Sequence, residues 1–102
     1  MKRKNPGPRS KIFNYDLYAA MFDVKNPQKW QIFRIKSLTT FADALDEAQE
    51  ERQGIVFTLG EDQKDATERI LAGKIIEDYE AANFINMKYG PDEKSRFNPS
   101  NF

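Results

Sequence analysis

The sequence predicts an α+β fold in the order ββαβα: a β-hairpin, an amphipathic helix, a third strand, and a long C-terminal helix packed on a small antiparallel or mixed sheet. Three stretches carry that expectation. Residues 29–36, KWQIFRIK, alternate apolar and polar side chains; residues 37–53, SLTTFADALDEAQEERQ, space their apolar residues as a helix does; residues 54–60, GIVFTLG, form a short apolar run between glycines. The pattern is too generic to point to a family.

Residues 1–11, MKRKNPGPRSK, carry five cations, no acid and a Pro-Gly-Pro, a composition that reads as a flexible basic arm. Ile12 to Val24 follows as the first strand, with Phe13, Tyr15 and Leu17 alternating with Asn14 and Asp16, and with Tyr18, Ala20, Phe22 and Val24 on one face. As a helix the same run would be apolar nearly all round. Asn26-Pro27-Gln28-Lys29 has Asn and Pro where a type I turn takes them, which selects the hairpin. The second strand, Trp30 to Lys36, turns Phe33 and Ile35 one way and Trp30, Ile32, Arg34 and Lys36 the other.

The helix is expected from Thr40, where Phe41, Ala44, Leu45 and Ala48 recur at i, i+3, i+4 and i+7. Thr39 or Thr40 stands at its N-cap, Asp43 in the far position of a capping box, and Gly54 at its stop. Its other face bears Asp43, Asp46, Glu47, Glu50 and Glu51 with no base among them. Like charges at 43/47, 46/50 and 47/51 each cost about 0.2–0.5 kcal/mol, and Glu50 and Glu51 sit at the negative end of the helix dipole. Such a helix is either simply solvated or answered by a basic counterpart, inside the molecule or outside it.

Ile55 to Leu59, bounded by Gly54 and Gly60, suits a strand covered on both faces and interior to the sheet. The last helix has Glu61, Asp62 and Asp65 in its first turn, Lys88 in its last, and Gly90 and Pro91 at its stop. Leu71, Ala72, Ile75, Tyr79 and Ala82 make its apolar stripe, flanked by Ile76 and Ile85, with Ile70 and Phe84 on the far side. At about 27 residues it would be about 40 Å long and outrun a small domain of about 30 Å. It therefore bends near Gly73 or projects, leaving Phe84 to a partner or to a second copy of the chain. This gives a basic arm at 1–11, one domain at 12–89 and a polar tail at 90–102 that carries Phe97 and Phe102.

Composition narrows the chemistry. The chain has no cysteine and no histidine, which removes disulfides, thiolate and Ser-His-Asp catalysis and the commonest zinc ligands. There is no phosphate-binding glycine loop and no calcium-loop pattern. Asp23-Val-Lys25 and Asp62-Gln-Lys64 echo the acid-x-Lys half of a metal nuclease site, each a match of two residues. The reading is a protein that is not an enzyme and has no cofactor and no metal. No apolar run approaches the roughly 18 residues of a membrane span, so a cytoplasmic location is expected.

The net charge of zero hides an asymmetry: residues 1–36 hold nine Lys/Arg against two acids, residues 37–102 seven against fourteen. Two binding readings follow. In the first, a nucleic-acid-associated accessory protein contacts phosphates and bases with Lys2, Arg3, Lys4, Arg9 and Lys11 of the arm and with Trp30, Arg34 and Lys36 of the strand. In the second, a protein-binding adaptor or inhibitor docks Asp43, Asp46, Glu47, Glu50 and Glu51 on a basic protein surface. A structural subunit of a larger assembly, with homodimer contacts through the C-terminal helix and Phe84, is a third. Equally, Trp30 and Ile32 can pack under a helix while Arg34 and Lys36 neutralise the protein's own acids.

Overall fold

The computed structural model describes residues 14–90. Along β1 (Asp16–Asp23), Leu17, Ala19 and Met21 point to one face and Tyr18, Ala20 and Phe22 to the other. All but Phe22 of these are buried, because helices cover both faces. β1 is the centre of an antiparallel sheet of order β2-β1-β3, with β2 (Asn26–Ile35) on one side and β3 (Gln53–Gly60) on the other.

On the first face, α1 (Leu38–Glu50) and α3 (Asp78–Tyr89) enclose the core. Leu17, Ala19, Met21, Ile35 and Phe57 meet Phe41, Ala44 and Ala48 from α1 and Ala81, Ala82 and Ile85 from α3. Phe41 stacks obliquely on Phe57, with ring centroids 4.8 Å apart. On the second face lies α2 (Gln63–Leu71), so close to β3 that a Cβ at Gly60 would fall 2.8 Å from the backbone nitrogen of Ala66. The α+β class and the leading ββαβ order are as the sequence predicts, and the complete order is ββαβαα.

Several boundaries differ from the sequence reading. The hairpin turn is Val24-Lys25, not Asn26–Lys29, and the Asp23 carboxylate takes the Lys25 N–H at 2.9 Å to hold it. Pro27 falls within β2 at the irregularity where Phe22 pairs with Trp30 and Asp23 with Asn26, a place where a missing N–H costs no ladder bond. Lys36 lies just past the end of β2.

The helix begins two residues earlier than Thr40, at Leu38. Ser37 is its N-cap, its hydroxyl accepting the Thr40 N–H at 3.1 Å, and Thr39 and Thr40 are in the first turn. Replacing Ser37 with Ala is expected to cost about 1 kcal/mol, seen as a lower urea midpoint at unchanged slope, with Asp at the same position restoring it. The helix stops at Glu51 through Arg52, which takes a left-handed φ of 56° before β3 begins. Gly54 is already two residues into the strand, paired with Phe22.

β3 is an edge strand, a correction to its expected interior place. Its apolar run reflects cover above and below by helices; on its outer side it meets only a single bridge, Phe57 to Ile76, among the described residues.

The long C-terminal helix is two helices. Gly73, at φ 78°, ends the first, and residues 72–77 cross the edge of β3 from one face of the sheet to the other. Ile76 N–H donates to Phe57 C=O at 2.8 Å, and the buried Thr58 hydroxyl donates to Lys74 C=O at 2.7 Å. The break dissolves the predicted stripe: Leu71, Ile75 and Tyr79 are exposed, while Ala82 and Ile85 of α3 are buried. Phe84 does not project; it is half-buried and packs against the core. α3 opens on a capping box between Glu77 and Glu80 and closes at Gly90. Among the described residues no helix is long and apolar enough to cross a membrane.

Candidate functional site

Core-facing positions of the sheet have odd numbers, and at one end they turn polar: Asp23 in β1, Gln31 in β2 and Gln53 in β3. They lie together at one end of the sheet, next to Met21, where the core face runs out of apolar residues. Above them stands the C-terminal turn of α1. The result is a cleft of about 530 Å³ lined by Asp23, Gln31 and Gln53 below, Glu47 and Glu51 above, and Lys29 and Trp30 at the side.

The cleft joins residues that the sequence reading had assigned to different surfaces. Glu47 and Glu51 come from the acidic helix, and Trp30 from the aromatic and basic strand. Three carboxylates face one ammonium, with two carboxamides and an indole beside them. Carboxylates accept paired N–H groups from a guanidinium, and an indole face attracts a cation, so the lining suits an Arg or Lys side chain. Among the described residues no group of three or more acids is gathered so as to hold a metal ion. Gln31 and Gln53 escape the sequence reading, and Asp23 enters it only as half of an acid-x-Lys pair. Their signal was present in the alternation, as polar residues at inward-facing positions, but it becomes visible only when the strand register is known.

The remaining predicted residues are dispersed. Asp43, Asp46 and Glu50 are exposed along α1, and Lys36 is exposed beyond β2. Lys2, Arg3, Lys4, Arg9 and Lys11 lie outside the described residues. Trp30 is half-buried on the second face, bordering both the polar cleft and an apolar hollow beneath α2. Arg34 sits on the same face but is drawn into an ion pair, its guanidinium 3.5 Å from Asp16.

Asp16 is a second polar centre, at the opposite end of β1. Its Oδ1 accepts from Lys88 Nζ at 2.7 Å and from the Tyr89 hydroxyl at 2.6 Å, so the end of α3 is tied to the start of the sheet. Lys88 also donates to the Tyr15 carbonyl. Burial would raise the Asp16 pKa, but the hydrogen bonds from Lys88 and Tyr89 and the charges of Lys88 and Arg34 hold it below the ordinary carboxylate value. The Tyr89 phenol is pushed up to about 12 by burial and by its bond to Asp16. Nearby, Arg69 stacks 4.8 Å over the Tyr15 ring and bonds both the Tyr15 hydroxyl and Asp65. These bonds are mutually satisfied, and the cluster is a structural clasp.

No protein-family model, curated protein or solved structure matches the chain.

Proposed function

We propose that this protein is a non-catalytic binding module that receives a basic segment of a protein partner at the cleft between α1 and the open end of the sheet. The observation that supports this most is the composition of that cleft, which Glu47, Glu51 and Asp23 line together with a half-buried Trp30. The rest of the body agrees in sign. Residues 14–90 hold nine Lys/Arg against fourteen Asp/Glu, a net charge of −5. Negative potential over the body and the outer face of α1 would speed the approach of a basic partner, while the cleft would fix its register.

The test uses a fluorescein-labelled octa-arginine peptide at low and moderate salt. Reversing Glu47 and Glu51 to Lys is expected to weaken binding about tenfold, whereas reversing the exposed Glu61 and Glu68 changes it far less. Equal losses from the two reversals would mean that net charge alone is read, and the cleft reading fails. One observation favours nucleic acid as the second reading: Trp30 is left accessible beside Lys29, as a stacking ring beside a phosphate contact would be. A labelled single strand whose binding collapses with salt and requires Trp30, in place of peptide binding, would establish that reading.

A further inference from the structure

The outer edge of β3 is open over half its length. Phe57 C=O accepts from Ile76, so at Phe57 the backbone polar groups face away from β1. By the alternation of an antiparallel ladder, the N–H and C=O groups of Ile55 and Gln53 face the same way. Among the described residues nothing bonds them. Exposed strand edges of this kind are where added strands pair.

The surroundings are shaped for one. A hollow of about 260 Å³ opens on either face of the sheet at this edge, the one on the second face running from Val56 and Ile75 across β1 to Pro27 and Trp30 of β2. That hollow lies among Phe22, Trp30 and Leu71; the other among Leu45, Phe57 and Ile76. Val56 and Ile75 line both. Successive side chains of an extended strand point to opposite faces, so two neighbouring apolar residues of an added strand would enter the two hollows in turn. Both ends of the open edge are acidic: Glu47 and Glu51 at the Gln53 end, Glu77 and Asp78 at the Ile76 end.

We propose that this edge takes an extended segment of the partner protein as a fourth strand, with an apolar pair in the two hollows and cationic residues on both flanks. The proposal rests on the protein-binding reading and adds the conformation and sequence class of what is bound. A second copy of the chain is the poorer occupant, since its own β3 edge is flanked by the same acids.

The probe is a blocked peptide, KRTVLVRK, titrated into the ¹⁵N-labelled full chain. Amide exchange at Gln53 and Ile55 is expected to slow on binding. N-methylation of alternate peptide residues, which deletes the donors that face β3, is expected to weaken binding about tenfold, and methylation of the intervening residues to have little effect. Equal effects of the two methylation patterns would overturn the proposal. So would slowed exchange at both amides in the free protein at every concentration, because the edge would then be occupied already. If octa-arginine still binds through Glu47 and Glu51 while KRTVLVRK gives no protection, strand addition is wrong and the protein-binding reading stands. If neither peptide binds, both fall.

Discussion

Replacing Phe41 with Ala is expected to remove about 3–5 kcal/mol of stability, the largest loss from any single truncation in this domain. Phe41 is fully buried, stacks on Phe57 and is the largest side chain that α1 contributes to the core. Its neighbours on that helix face are mostly alanines, Ala44 and Ala48, too small to collapse into the cavity. A domain of this size holds about 5–15 kcal/mol in all, so the variant sits near its unfolding threshold at 25 °C. Urea unfolding followed by the single tryptophan, Trp30, reports it, and Phe41→Leu should recover much of the loss. A cost below about 1 kcal/mol would mean that α1 is not seated on the sheet as described.

The second large effect belongs to Asp16. Changing it to Asn keeps the shape but removes the charge that receives Lys88, Tyr89 and Arg34, and is expected to cost about 2 kcal/mol at neutral pH. The pH dependence identifies the cause. The carboxyl group titrates lower in the folded protein than in the unfolded chain, so its contribution is complete above the unfolded value of about 3.9 and is lost as pH falls through the folded one. The gap between wild type and Asp16→Asn should therefore close below about pH 4. Asp65, held low chiefly by the Glu61 N–H and then by Arg69, keeps its part of the acid loss in both proteins. A gap that is constant with pH would assign the loss to packing instead of charge.

The elements were legible in the sequence because their signals are local. Phe41, Ala44 and Ala48 mark a helical face whatever the rest of the chain does, and Gly73 and Gly90 mark places where a helix cannot easily continue. What was misread depended on partners far along the chain. Ile55 to Leu59 is as apolar as an interior strand, yet lies at an edge, because hydrophobicity reports cover above and below and says nothing about lateral neighbours. Leu71, Ile75 and Tyr79 fit one stripe only if the helix is continuous, and the bonds that break it come from Phe57 and Thr58. The cleft was hidden for the same reason. Asp23, Gln31 and Gln53 come from three strands, and only the pairing register puts them side by side.

The clasp at Asp16 has a consequence for how the domain can be used. It brings the first residue of β1 within hydrogen-bonding distance of the last two residues of α3, so the first and last elements of the described body end side by side. Domains with that geometry tolerate circular permutation and insertion into a host loop, because neither requires a segment to travel across the surface. A permuted chain joined across this point and opened at Gly73, where an added side chain would meet nothing within 4 Å, would retain every core contact of the sheet with α1 and α3. The body is built as a plug-in unit, with its cleft and its open strand edge away from the seam.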